Sequence, residues 1–179
     1  MNSNKNETEQ KAREAEMKQI GILRSGNSNA ILDTIEEIRN TGKTTILPEI
    51  FELLLDTEDD EVMEACTGLL NDLKSAEGSS HVISALKNSR YRPVRQILAS
   101  SCWQSGLDYS AHYQLFARIV IKDDYAAAIE AFTVIENSLG DLDDDEIVQL
   151  SSLLNEGLSQ VSDNKKKLIR ELIGVIRNY

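Results

Sequence analysis

Few side chains in this sequence have both the type and the spacing to do chemistry. The histidines are His81 and His112, the cysteines Cys66 and Cys102, and the single tryptophan is Trp103. Neither histidine belongs to a His-Glu pair or has a second ligand three or four residues on, so no metal site is drawn by spacing. Asp141-Leu142-Asp143-Asp144-Asp145-Glu146 places acids at alternate positions as a calcium loop does. The sixth position is Glu146 instead of glycine, however, and the twelfth is Ser152 instead of a bidentate glutamate. Acids in a row also suit the start of a helix, where the backbone dipole is positive. Thr41-Gly42-Lys43-Thr44 resembles the tail of a phosphate-binding loop, but Glu37 stands where the first glycine should be, and no strand precedes it. It reads as a turn between helices. Cys66 and Cys102 fall within apolar helical patterns and read as buried, reduced thiols; a Cys102–His112 nucleophile pair would arise only by accident of folding.

The 179 residues carry a formal charge of −11, with 19 basic and 30 acidic side chains. That balance repels phosphate backbones and anionic lipid, which argues against nucleic acid and membrane as partners. The exception is the end of the chain: Lys165, Lys166, Lys167, Arg170 and Arg177 face only two acids within residues 161–179. The opening MNSNKNETEQ has no apolar core of a leader, and no apolar run is long enough to span a bilayer. With two cysteines and no export signal, a reducing cytoplasm is the expected setting. Asn6-Glu7-Thr8 is then an inert glycosylation acceptor.

The elements that would position these residues are read from hydrophobic spacing. Apolar sets at helical spacing begin at Ile31, Val62, Val94 and Tyr125, which lie 31, 32 and 31 residues apart. A period in this range marks stacked helix pairs, each unable to bury its apolar face alone. Breaks at Ser25-Gly26-Asn27, Thr41-Gly42, Asp56-Thr57-Glu58-Asp59, Gly78-Ser79-Ser80, Gly106 and Asp163-Asn164 divide the chain into about ten helices. Residues 1–6 are expected to be disordered and 7–179 to form a single domain. Pro48 is tolerable within the first turn of its helix. In the helix after Asp123, Tyr125, Ala128, Ile129, Phe132 and Ile135 are expected to face inward. The spacing predicts an all-α solenoid of about five antiparallel helix pairs.

Pro48 and Asp56, followed by Val62, Cys66 and Leu69-Leu70, and then Val94-Arg95, Leu98 and Ser101-Cys102, resemble the HEAT repeat and its armadillo-like relatives. The likeness covers roughly residues 25–179. The arginine of the motif is replaced by Met63, Ala126 or Ile169 elsewhere. The resemblance implies a right-handed α-α superhelix acting as a scaffold. It also brings two enzyme classes to test. Iron-dependent hydroxylases of this architecture use repeated His-Glu pairs, which are absent. HEAT-like glycosylases need a basic concave face, against which this acidic chain argues.

Trp103 is the residue that asks for a role. At the helical angle of 100° per residue, Val94, Ile97, Leu98, Ser101 and Ser105 cluster within about 60°, and Trp103 points roughly 180° away. Tryptophan opposite a core face suits a binding anchor. The resemblance implies that the second helix of each pair lines the concave surface. The same strip would then carry Asp33, Glu36, Glu64, Thr67, Asn71, Ala99, Glu130, Val134, Ile173 and Arg177. The expectation is a non-enzymatic protein-interaction module, without cofactor or metal, whose inner helices take a basic or amphipathic peptide. A HEAT-like enzyme of the lyase or glycosylase kind is the alternative.

Overall fold

The structure is a computed structural model that describes residues 2–179, with side chains given for Glu7 and from Glu9 onward. The described residues are all-helical. Their contacts gather into two compact units, Met1–Asp72 and Leu73–Tyr179, where the sequence led us to expect one domain over 7–179.

The first unit contains α1 (Asn2–Leu23), α2 (Ser28–Thr41), α3 (Leu47–Asp56) and α4 (Asp60–Asn71). The backbone of α1 is helical from Asn2 instead of from about Glu7; the side chains of 2–6 and the whole of Met1 lie outside the described residues. Asn27 and Asp59 stand at the N-caps of α2 and α4 and accept backbone N–H groups of the first turn. Gly42 ends α2 with φ +66°, a left-handed conformation that a side chain would strain. Pro48 sits in the first turn of α3, where its missing N–H costs nothing. Ile35, Ile38, Ile50, Leu54 and Leu70 fill the core. The principal contacts join α1 to α2 and α3, and α4 to α2 and α3.

The second unit contains α5 (Ala76–Lys87), α6 (Arg95–Gln104), α7 (Tyr113–Lys122), α8 (Tyr125–Ser138), α9 (Asp144–Gly157) and α10 (Asp163–Asn178). Ser75 caps α5, so Gly78-Ser79-Ser80 lies inside its first turns instead of before it. Helix α6 is shorter than its pattern suggests because Asn88 and Pro93 shape the preceding Ser89–Val94 into a 3-10 turn. The acids at Asp143 and Glu146 form a reciprocal capping box: Asp143 N–H donates to Glu146 and Glu146 N–H to Asp143. The acidic run is thereby explained as a helix start. Arg118–Ile121 is helical within α7 despite its β-branched composition. Principal contacts pair α5 with α6, α7 with α8 and α9 with α10, and then join α6 to α8, α8 to α10 and α7 to α9. Leu98, Phe116, Ile119, Ile135, Leu150 and Ile169 are among the core side chains.

In α8 the burial departs from the expected face. The buried arc runs through Ala127, Ala128, Ala131, Val134, Ile135 and Ser138, whereas Tyr125 and Ile129 are exposed. Three alanines let neighbouring backbones approach from two sides, and the larger side chains are displaced outward.

Polar bonds tie residues about one repeat apart. Ser28 Oγ donates to Asp59, 31 residues on. Arg24 forms a bidentate pair with Glu49. The most buried of these is Asp123: Arg95 Nη1 lies 2.8 Å from both carboxylate oxygens, and Arg92 Nε lies 3.1 Å from one. Lys165 of α10 donates to the carbonyls of Ile121 and Asp123. Removing one member of a buried pair leaves the other charge without compensation. Asp123→Ala is therefore expected to cost about 3 kcal/mol, measured by urea denaturation. Arg24→Ala breaks a pair whose arginine is 67% exposed, and should cost under about 1 kcal/mol.

Candidate functional site

Trp103 occupies the last turn of α6, one residue before the helix ends. Ser101 and Ser105, on the buried side of the same stretch, return their hydroxyls to the carbonyls of Leu98 and Cys102 and so cost no unsatisfied polar group. Gly106, at φ +67°, turns the chain sharply away. Asp108 then accepts the backbone N–H of Ser110 at 2.8 Å and fixes the loop before α7. Tyr109 is buried between these elements, its ring edge-on to Phe116 with centroids 6.2 Å apart.

These elements leave a cleft of about 220 Å³ whose wall includes Trp103, Leu107, Asp108, Tyr109, Val134 and Asp141. Trp103 is 38% exposed. Its indole N–H donates to Glu130 of α8 at 2.8 Å, which fixes the ring while leaving part of it in solvent. The Tyr109 hydroxyl is buried beside Cys102 and Ser105; burial foremost, and the neighbouring Cys102, push its pKa up. The Asp108 carboxyl is held below its usual range by the Ser110 N–H first, then by the Ser110 hydroxyl and the nearby His112. His112 is itself held low, by burial first and by the charge of Lys87. The cleft therefore mixes apolar side chains with polar ones, Asn137 and Ser138 among them, and has an anionic Asp108 at its edge at neutral pH.

The residues expected along the inner strip separate clearly. Trp103 and Glu130 come together in a direct hydrogen bond. Ala99 and Val134 need correction: they are 0% and 2% exposed, buried where α6 packs on α8. Small and branched side chains there serve the close approach of two helices, though Val134 still reaches the cleft wall. Ile173 is likewise buried. Glu64, Thr67 and Asn71 belong to α4 in the first unit; Glu64 is exposed, and Thr67 returns its hydroxyl to Met63 O. Arg177 is exposed in the last turn of α10. Leu107, Asp108, Tyr109 and Asp141 were not foreseen. Gly106 followed by Asp108-x-Ser110 was the available signal, since it marks a structured loop next to the tryptophan.

The cysteines carry no activated nucleophile. Cys102 Sγ donates to Leu98 O, and burial pushes both thiols up to about 12. Among the described residues, no group of three His, Cys, Asp or Glu side chains gathers as metal ligands would, and no helix is long and apolar enough to cross a membrane.

A scan against protein-family models finds no match to this chain, and a search of curated proteins finds none similar to it. Geometry and chemistry at the cleft are therefore what bear on function.

Both thiols should resist a thiol-reactive chromophore at pH 8 in the folded chain and react fully in urea. Their folded pKa values of about 12 exceed the ordinary 9.0, so the unfolded state loses its protons first. The stability they contribute is complete below pH 9 and declines as pH rises towards 12, which urea titrations across that range would measure against a Cys66→Ala/Cys102→Ala double variant.

Proposed function

We propose that this protein is a non-enzymatic HEAT- or armadillo-like helical-repeat module that binds a basic or amphipathic segment of a partner protein in the Trp103 cleft. The observation that carries the reading is the partly exposed indole, tethered to Glu130 at the edge of a cleft that sets Leu107, Tyr109 and Val134 beside Asp108 and Asp141. A rigid aromatic beside exposed carboxylates suits a peptide that offers an apolar anchor and a cation together.

The repeat reading is supported by helices that pack in consecutive couples, and by contacts of α1 with α3, α2 with α4, α6 with α8, α7 with α9 and α8 with α10 between couples. It is supported also by hydrogen bonds between residues 27, 28 and 31 apart. A right-handed superhelix is the arrangement such couples commonly build. The cytoplasm is the setting proposed for it, in keeping with two reduced, buried thiols.

Because Trp103 is the only tryptophan, its fluorescence reports this cleft alone. A synthetic amphipathic helix with lysines on one face and leucines on the other should shift and saturate the emission, and an acidic counterpart should leave it unchanged. Asp108→Asn/Asp141→Asn should weaken the lysine peptide at least ~10-fold. Trp103→Ala should lower stability by about 1–2 kcal/mol, less than the 3–5 kcal/mol of a fully buried aromatic. Identical responses to both peptides would end the proposal, as would a Trp103→Ala chain that fails to fold.

A further inference from the structure

A second hollow, of about 230 Å³, opens where the C-terminal end of α5, the start of α6 and the last turns of α7 meet. Its wall includes Lys87, Arg95, Leu115, Arg118, Lys122 and Asp123. Asp123 cannot neutralise the others, because Arg95 and Arg92 already occupy its buried carboxylate. Among the described residues, Lys87, Arg118 and Lys122 have no acid within ion-pair distance. Residues 87–122 carry six basic side chains and one acid in a chain whose net charge is −11.

Three further observations point to a ligand. Arg118 and Lys122 lie four residues apart on α7, a like-charge spacing that disfavours the helix unless an anion lies between them. Cations are often placed at helix C-termini to meet the free carbonyls. At the end of α7, however, Arg92 Nη2 already donates to Lys122 O, and Lys165 Nζ to Ile121 O. Finally, the Arg95 Nε is buried with no acceptor among the described residues, and a buried donor of this kind ordinarily has one.

We propose that this hollow binds a phosphate monoester, its dianion seated among Lys87, Arg118 and Lys122, with Arg95 offering a further donor. Such a group brings close to two negative charges and three acceptor oxygens, and guanidinium and ammonium groups are its usual partners. A nucleic-acid strand fits less well, since it needs a basic track and the chain as a whole is acidic. The site is separate from the Trp103 cleft and does not depend on what that cleft binds.

Calorimetric titration of the full chain at fixed ionic strength tests this, with inorganic phosphate, O-phosphoserine, a phosphoserine hexapeptide and its unphosphorylated twin as probes. The phosphorylated probes should bind saturably and the twin should not. Arg118→Gln/Lys122→Gln should weaken them at least ~10-fold, and Lys87→Gln, on a different helix, should weaken them as well. All three side chains are exposed, and circular dichroism will verify that the variants fold. Lys166→Gln/Lys167→Gln on α10 makes the same charge change elsewhere and should leave binding intact. A hexapeptide that binds more tightly than O-phosphoserine identifies a phosphoprotein as the source of the group, and equal binding identifies a free phosphorylated molecule; either supports the site. The proposal is overturned if no phosphorylated probe saturates, if both double variants weaken binding equally, or if a single-stranded dodecanucleotide binds while the small phosphates do not.

Discussion

The second unit is organised around one buried carboxylate. Asp123 is the first of two residues between α7 and α8, and it is nearly inaccessible to solvent. Bare, it would be costly to bury. Arg95 from the start of α6 and Arg92 from the turn before it supply the compensating charge. The adjoining carbonyls of α7 are met by Arg92 and by Lys165 of α10. Three segments far apart in sequence thus converge on one point, and neither α7 nor α8 can shift without leaving a charge or a carbonyl unmet. The same economy of acids accounts for the basic hollow: with Asp123 committed inward, the outward cations beside it have no acid among the described residues to pair with.

Much of the fold was legible because helix formation here is a matter of local spacing. Ile31, Ile35 and Ile38, or Leu168, Leu172 and Ile176, recur at three and four residues, and all are buried as that spacing requires. Asn27, Asp59 and Asp124 occupy cap positions whose chemistry is intrinsic to the side chain. The turn at Thr41-Gly42 and the acidic start of α9 were read correctly for the same reason.

What escaped the sequence was decided by packing on more than one side. A single-stripe reading of α8 sends Tyr125 and Ile129 inward. The helix is instead buried along an alanine-rich arc against both α6 and α7. That error carried over to the strip of inner residues, where Ala99, Val134 and Ile173 proved to be core. The cleft itself depends on a loop whose course is set by Gly106 and Asp108, and helical arithmetic is blind to loops. The basic hollow was hidden because Lys87 and Lys122 are 35 positions apart in the sequence, and the basic stretch Lys87, Arg90, Arg92 and Arg95 does not by itself show which of its members face Arg118 and Lys122.

Asp59 has a consequence for how the first unit comes apart. One of its carboxylate oxygens holds the first N–H groups of α4, while the other receives the hydroxyl of Ser28 in the first turn of α2. Two helix beginnings therefore share a single acceptor group. Fraying at either one withdraws a partner from the other, so amide exchange at the opening turns of α2 and α4 would rise and fall in concert, as a property of one joint and not of two independent ends.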